Sequence, residues 1–140
     1  MYMKKIISIL MIVALSLLVS SCGKANEITD LWAEATYTEN TEVGNGKKTV
    51  FVEVVTDNKS ITFTVHSDKT TLGDALIEHS LIAGEKGPYG LYVKKVNGIL
   101  ADYDQNQTYW GFNKNGESMM TGVDMTEFKD GEHYEFVYTK

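Results

Sequence analysis

The sequence predicts an α+β domain, and three observations support this fold class. Two adjacent runs of alternating apolar residues come first, a single helical pattern follows them, and several short strands fill the rest of the chain. Segregation of strands and helix along a chain is typical of the α+β class. Composition agrees with a small folded domain, because 43% of the 140 residues are hydrophobic and 11% are aromatic. A wholly disordered chain contains fewer such residues.

The first 22 residues have the layout of a secretory signal peptide that ends in a lipidation site. Two basic residues, Lys4 and Lys5, precede an almost unbroken apolar run over residues 6–19. This run is too short for a membrane-spanning helix, which needs about 20 apolar residues. The ending VSSC over residues 19–22 resembles a bacterial lipobox, in which the cysteine is lipidated and becomes the new first residue. We therefore expect a signal peptide over residues 1–21 and a lipid anchor on Cys22, on the outer side of the cytoplasmic membrane.

The counts of reactive and charged residues exclude several classes of protein. Cys22 is the single cysteine, so neither a disulfide scaffold nor a cysteine-based zinc cluster is expected. The alternative to lipidation is an incidental cysteine in an ordinary signal peptide. The formal charge is −6, and removing residues 1–21 with their two lysines makes it −8. This acidic balance argues against a nucleic-acid-binding protein, which needs a basic surface.

Residues 22–46 are predicted to form the lipidated cysteine and a polar, acidic tether before a domain that begins at Lys47. A flexible coil of this length spans roughly 25–30 Å. One segment departs from the pattern, because residues 31–37 read LWAEATY and aromatic residues are unusual in a linker. Two alternatives stay open for this segment: it belongs to the tether, or it packs on the domain as a short edge element.

The domain is predicted to begin with a hairpin and to continue into one helix. Valines alternate over residues 49–56 and apolar residues alternate again over 61–66, with a polar turn between the two runs, which is the pattern of paired strands. The helix is predicted to begin after Thr71, which is spaced to cap it together with Asp74. Apolar residues then recur at helical spacing. Gly84 is the expected end of this helix.

Short strands are predicted after the helix. The pairs Asn97-Gly98 and Asn115-Gly116 are tight-turn signals that separate them. These strands are expected over residues 91–96, 99–101, 109–113 and 134–139. One helix packed on a small mixed sheet of four to five strands indicates a β-grasp-like arrangement over residues 47–140.

No catalytic motif is present in the sequence. The nucleophile elbow, the phosphate-binding loops and the zinc-protease motif are all missing. Asp102, Asp104 and Asn106 resemble the start of a calcium loop, but Gln107 and Asn113 replace the glycine and glutamate that such a loop requires. We therefore expect no enzyme, no catalytic residue and no bound metal, and an envelope enzyme is the minor alternative.

Aromatic and methionine residues are concentrated between positions 89 and 123. Tyr109 and Trp110 are neighbours on a predicted strand and point to opposite faces, so at least one of them should reach the surface. An exposed aromatic patch beside adaptable methionines suits a large, flat, partly apolar ligand. The alternative for each ring is packing in the core. The candidate ligand-binding residues are Tyr89, Tyr92, Tyr109, Trp110, Phe112, Met119, Met120, Thr121 and Gly122.

An ordered series of short motifs resembles a known family. The motifs are YGLY at 89–92, VNG at 96–98, YWGF at 109–112, NGE at 115–117, MTGVD at 120–124, DG at 130–131 and YEF at 134–136. Together they resemble the transcobalamin-type C-terminal domain of bacterial surface proteins, the DUF4430 family, over residues 47–140. The resemblance implies a β-grasp domain that binds a soluble ligand through three segments, which correspond here to residues 87–92, 109–112 and 119–123.

The resemblance also implies a class of ligand. In animal cobalamin carriers, the similar domain closes over one face of the corrinoid and a large helical domain holds the other face. This chain has no such helical domain, so binding of cobalamin or a related large cofactor would need a membrane uptake transporter or a second ligand-binding chain. The alternative function is a cell-surface module that binds a protein or a glycan and takes no small-molecule ligand.

Overall fold

A computed structural model describes residues 30–140, so the predicted signal peptide and Cys22 lie outside the described residues. The described part of the chain has an α+β fold, with nine strands in two sheets and two helices. Two 3₁₀ turns, Leu31–Glu34 and Val123–Met125, complete it. The strands are β1 (Thr41–Gly44), β2 (Lys48–Val55), β3 (Ser60–Ser67), β4 (Ile82–Gly87), β5 (Gly90–Val96), β6 (Ile99–Leu100), β7 (Tyr109–Lys114), β8 (Glu117–Ser118) and β9 (His133–Thr139), and the helices are α1 (Leu72–Glu78) and α2 (Tyr103–Asn106).

The larger sheet has six strands in the order β1-β3-β2-β9-β7-β8, and the smaller has three in the order β4-β5-β6. β2 and β3 form the predicted antiparallel hairpin, and β9 lies parallel to β2 and antiparallel to β7. The prediction of a single sheet of four to five strands is therefore wrong in number. The three strands that were not predicted carry no clear apolar alternation, because β1 has four residues, β8 has two, and β4 is exposed after Ile82.

One face of the larger sheet forms the core together with α1. The pairing places Val52 opposite Phe63 on one side and beside Tyr134 on the other, so alternate residues of three adjacent strands are buried together. Each buried aliphatic side chain contributes about 1.5–3 kcal/mol relative to an exposed one. The buried strand residues are Val50, Val52, Val54, Ile61, Phe63, Val65, Tyr134, Phe136 and Tyr138, and α1 adds Leu72, Ala75 and Leu76.

Helix α1 begins as predicted and ends earlier than predicted. The Thr71 hydroxyl accepts a hydrogen bond from the Asp74 backbone N–H at 3.2 Å, which satisfies one of the free amides of the first turn. The helix ends at Glu78, six residues before the expected end at Gly84. Ser80 has a φ of 55°, and a left-handed residue cannot continue a right-handed helix.

The segment before β2 packs on the fold and is not a tether. Trp32 is 6% exposed, and its indole N–H donates to the Thr56 hydroxyl at 2.8 Å. The Asn97 side chain accepts from the Tyr37 N–H at 2.9 Å and donates to the Tyr37 carbonyl at 2.8 Å. Strand β1 then pairs in parallel with β3. The predicted boundary at Lys47 is therefore too late, because an indole and an edge strand from residues 31–44 complete the core; residues 23–29 of the predicted tether lie outside the described residues.

A half-buried carboxylate, that of Glu132, connects the end of β7 to the start of β9. Glu132 accepts a hydrogen bond from the Tyr134 hydroxyl at 2.7 Å and pairs with the Lys114 ammonium group. Burial alone would raise the pKa of Glu132, but the hydrogen bonds from Lys114, Tyr134 and the Lys129 backbone together lower it below its ordinary value of 4.5. The charged form is therefore the one that the fold stabilises.

Substitution of Glu132 should make the free energy of unfolding less dependent on pH in the acid range. Because the folded-state pKa of Glu132 is lowered, its contribution is complete above the unfolded value of 4.5 and is lost as the pH falls through the folded value. We expect Glu132→Gln to unfold at lower urea than the wild type at pH 7 and to approach it as the pH falls to about 3. The measurement is urea unfolding at a series of pH values, with the exposed Glu117→Gln as control. Parallel pH curves for wild type and Glu132→Gln would contradict the assignment.

Candidate functional site

The tip of the β4–β5 hairpin carries an exposed cavity. Residues Gly87–Tyr92 line this cavity, which has a volume of about 300 Å³. Pro88 has a fixed φ that suits a turn, and Gly90 adopts a φ of +107° that L side chains rarely adopt. This turn leaves Tyr89 94% exposed and Tyr92 41% exposed. The hairpin therefore presents two phenol rings to solvent.

The segment that follows β8 lies beside this hairpin tip. Met119 donates its backbone N–H to the Phe112 carbonyl at 2.9 Å, and its side chain packs on the edge of the core. Met120 is 97% exposed, and Thr121 is also exposed. A Cβ atom added at Gly122 would lie 3.6 Å from the Tyr89 carbonyl oxygen. The structure thus brings two of the predicted segments, 87–92 and 119–122, into contact.

The aromatic residues of β7 divide between two faces of the sheet. Trp110 is 6% exposed; its indole N–H donates to the Ile99 carbonyl at 3.1 Å, and its ring meets that of Tyr138 edge-on at 5.4 Å. Phe112 shares this face and is half-buried against Phe136. Tyr109 points to the other face and is 41% exposed. The prediction that at least one of Tyr109 and Trp110 reaches the surface is confirmed.

The structure therefore brings only some of the predicted site residues close to one another. Tyr89 and Tyr92 line one cavity, and Gly122 lies close to the Tyr89 carbonyl oxygen. The exposed Met120 is two residues before Gly122 in the chain. Tyr109 is on the face of β7 opposite to Phe112, so it does not join Met119 and Phe112. Ligand contact by each of these residues stays a prediction, and the buried position of Trp110 gives it a packing role.

One cation stands above the aromatic surface of the hairpin. The Lys94 ammonium group lies 5.8 Å from the centre of the Tyr92 ring and 3.5 Å from a Glu85 carboxylate oxygen. Burial acts to lower the pKa of Lys94, but the charge of Glu85, with those of Asp102 and Asp104, raises it above its ordinary value. Lys94 is therefore a cation at neutral pH, beside the Tyr92 ring and paired with Glu85.

The acidic residues of the calcium-loop-like segment have structural partners. Asp102 caps α2, because its carboxylate accepts from the Asp104 N–H at 3.0 Å. The Asn106 side chain accepts from Thr108. Within residues 30–140, no group of three or more His, Cys, Asp or Glu side chains is arranged to hold a metal ion. In the same range, no helix is both long enough and apolar enough to cross a membrane.

The structure forms a second cavity that the sequence did not predict. This polar cavity of about 300 Å³ lies between β3 and α1, and both His66 and His79 line it. His66 is held by the Thr49 hydroxyl at 2.9 Å and by the carboxylate of Glu42. No spacing rule joins a strand residue to a helix residue 13 positions later, so only the packing of α1 against the sheet brings the two imidazoles to one cavity.

Sequence reasoning also missed Asp124. This half-buried residue lies in the 3₁₀ turn Val123–Met125, and its carboxylate accepts the Leu91 N–H of the hairpin at 2.9 Å. It falls within the motif at residues 120–124 that carries the family resemblance, which was the available signal. Neither composition nor periodicity distinguishes a single aspartate in a loop from other polar loop residues.

The chain is similar to known proteins in sequence and in fold. A family model described as "Domain of unknown function (DUF4430)" matches residues 69–140, slightly more than half of the chain. A solved structure from Ruminococcus gnavus, named as a candidate metal-binding protein, is 33% identical with a TM-score of 0.63, over 67% of this chain and 98% of that chain. Haptocorrin in complex with Cbi is 20% identical with a TM-score of 0.54, over 70% of this chain and 26% of that chain. The likeness to haptocorrin concerns the fold alone. No curated protein matches this chain.

Proposed function

The chain belongs to the DUF4430 family, and from this premise we propose that it is a ligand-binding protein for a large, flat, partly apolar molecule. A corrinoid such as cobalamin is the first candidate ligand. The observation that carries the proposal is the surface formed by Tyr89, Tyr92, Met120 and Gly122, named here the ligand patch. Two of its side chains are almost wholly exposed, Tyr89 at 94% and Met120 at 97%.

The chemistry of the ligand patch supports a flat ligand. Aromatic rings stack on extended planar groups, and an unbranched methionine adapts its shape to an irregular apolar surface. The rings of Tyr89 and Tyr92 line one cavity, and grouped exposed apolar side chains are a feature of binding sites. Lys94, which lies above the Tyr92 ring, adds a cation that can meet carboxamide or phosphate oxygens at the rim of such a ligand.

The fold supports the corrinoid class. The part of haptocorrin that this chain resembles is 26% of that protein, which was solved in complex with Cbi. The β2–β3 hairpin, α1 and the parallel pairing of β9 with β2 support the β-grasp interpretation. Because one such domain covers one face of a flat ligand, we propose that a second surface completes the site, either an uptake transporter in the membrane or a second copy of this chain.

The cellular setting is part of the proposal. The sequence pattern of residues 1–22 supports a lipoprotein attached to the outer side of the cytoplasmic membrane through Cys22. At that position the protein would receive ligand by diffusion and pass it to an uptake system. It is proposed to act by binding and not as an enzyme.

One observation favours a second candidate function. The cavity at the hairpin tip is lined by one continuous segment, Gly87–Tyr92, so it does not enclose a small molecule by itself. An exposed hairpin with tyrosines also suits a protein or glycan partner. A cell-surface interaction module without a small-molecule ligand is therefore the alternative. Metal binding, which the name of the Ruminococcus gnavus protein suggests, has no three-residue ligand group among residues 30–140 to support it.

Thermal unfolding with added cofactors tests the proposal. We expect the melting temperature of the full chain in mild detergent to rise with cyanocobalamin concentration, because a ligand of the native state stabilises it by about 2.7 kcal/mol at 100 times its Kd. Haem and flavin mononucleotide serve as competing flat ligands. Tyr89→Ala and Met120→Ala should remove the rise and leave the melting temperature without ligand unchanged, since both side chains are exposed.

The matched control is Tyr103→Ala, which removes a phenol that is 56% exposed on α2 and is not one of the four ligand-patch residues. This variant should keep the full response to cyanocobalamin. A rise that survives in both Tyr89→Ala and Met120→Ala would place the ligand elsewhere. Absence of any rise up to about 1 mM, an affinity of roughly 4 kcal/mol, would contradict stand-alone binding of these cofactors and favour the interaction module.

A further inference from the structure

We propose that Asp124 is a positioning residue that sets the two halves of the ligand patch against each other, an inference that rests on the proposed function. One half is the hairpin tip with Tyr89, and the other is the segment with Met120. Asp124 lies two residues after Gly122 in the second half, and its Oδ1 atom accepts the backbone N–H of Leu91 in the first half at 2.9 Å. The two residues are 33 positions apart in the chain, so this bond is a tertiary contact.

Three glycines from three different elements allow this contact. A Cβ atom at Gly90 would lie 2.7 Å from Asp124 Oδ1, and one at Gly122 would lie 2.9 Å from the same oxygen. A Cβ atom at Gly73, in the first turn of α1, would lie 2.7 Å from the Asp124 Cα atom. Real Cβ contacts are essentially never this short. The hairpin, the 119–122 segment and α1 therefore converge on one aspartate, and a Cβ atom at any of these glycines would require Asp124 to move.

The glycine in α1 shows what this convergence costs. Glycine is less favourable than alanine inside a helix, and Gly73 is nevertheless buried in a helix of seven residues. Close approach of the Asp124 backbone explains its presence. The close contact between Gly73 and the Asp124 backbone holds the 3₁₀ turn Val123–Met125 against α1. The hydrogen bond from Leu91 to Asp124 holds the hairpin against the same 3₁₀ turn.

The hairpin has little else to hold its tip. All residues of β4 after Ile82 are exposed, so packing on the core does not fix residues 83–90. Leu91, which packs against the edge of the core, is the first residue beyond the turn that does so. The bond from its N–H to Asp124 lies one residue beyond Gly90 and two beyond Tyr89. Loss of that bond should free the tip before any other part of the fold.

Hydrogen exchange tests the positioning role without a ligand. In Asp124→Ala, we expect amide exchange at Leu91 and across the hairpin tip to accelerate by about tenfold or more, because a hydrogen bond to a charged group is lost. Asp124→Asn retains an acceptor oxygen and should restore slow exchange. Asp130→Ala is the matched control, since Asp130 accepts the Thr49 N–H at 2.7 Å on another part of the surface; it should leave the hairpin unchanged.

A second variant keeps the test decisive if Asp124→Ala does not fold. Gly122→Ala leaves the carboxylate in place but puts a Cβ atom 2.9 Å from its Oδ1, so the oxygen must move away from Leu91. We expect this variant also to accelerate exchange at Leu91. Unchanged exchange at Leu91 in Asp124→Ala or, where that variant is unfolded, in Gly122→Ala would overturn the positioning role.

Cyanocobalamin provides the binding measurement on the same variants. We expect its Kd to rise about tenfold in Asp124→Ala, equivalent to about 1.4 kcal/mol, and to return towards the wild-type value in Asp124→Asn. Wild-type Kd in an Asp124→Ala protein with fast hairpin exchange would overturn the proposal, since the position of the tip would then not matter for binding. Absence of binding to the wild type, with accelerated exchange in Asp124→Ala, would contradict the corrinoid proposal and support the positioning of the tip.

Discussion

Replacement of Trp110 by alanine is expected to lower the free energy of unfolding by about 3–5 kcal/mol, the usual cost of removing a buried large aromatic side chain. The indole is 6% exposed and packs edge-on against Tyr138. Its removal also leaves the Ile99 carbonyl without the donor that lies 3.1 Å away. The cavity and the unpaired carbonyl both act on the folded state, so unfolding should shift to much lower urea.

The neighbouring position supplies the control for this variant. Tyr109 is 41% exposed on the other face of β7, and Tyr109→Ala should change stability by only about 0.5 kcal/mol. Trp110→Phe keeps part of the packing and should lie between the two. Urea unfolding followed by circular dichroism measures all three. A Trp110→Ala protein of wild-type stability that had lost ligand binding would instead make Trp110 a contact residue.

Trp32→Ala is expected to have an effect of similar size, about 3–5 kcal/mol, although the sequence left open whether residues 31–37 belong to a tether or pack on the domain. Its ring is 6% exposed within the core, and its N–H donates to Thr56 at 2.8 Å. The Lys59 ammonium group lies over the same ring, 4.7 Å from its centre. One side chain thus joins the N-terminal segment to the turn between β2 and β3.

Two further variants in the same segment serve as comparisons. One separates the packing of the Trp32 ring from its hydrogen bond, and the other is a control at an exposed position. Trp32→Phe keeps an aromatic ring but loses the donor to Thr56, and should recover part of the stability. Glu34→Ala removes an exposed side chain and should be close to neutral. Urea unfolding of the full chain provides the comparison. If Trp32→Ala unfolded at the wild-type midpoint, residues 31–34 would be a tether after all.

The alternating strands and the helix cap were predictable because their signals are local. Alternate burial of Val50, Val52 and Val54 follows directly from the two-residue period of a strand. Thr71 caps α1 because a short polar side chain reaches back to the amide three residues later. Strand β4 was not predictable, since after Ile82 it is exposed and carries no apolar period. Its strand conformation depends on pairing with β5.

Part of the candidate site was also visible in the sequence. Neighbouring residues on a strand must face opposite ways, so one of Tyr109 and Trp110 had to reach the surface; the sequence could not say which. Residues 87–92 and 119–123 were selected because aromatic and methionine residues are concentrated there and because the family resemblance points to the same segments. The structure places these segments in contact at Tyr89 and Gly122. Asp124, which joins them, carries no periodic signal.

The sequence by itself determined the fold class, the hairpin of β2 and β3, the start of α1 and the acidic charge, because each depends on residues near one another in the chain. Only the tertiary structure decided that Trp32 and Trp110 belong to the core and that Tyr89 and Met120 do not. It also decided that Asp124 meets Leu91. Burial and long-range contact depend on which surfaces the whole chain brings together, and a side chain of the same type stabilises the core in one place and is available to a ligand in another.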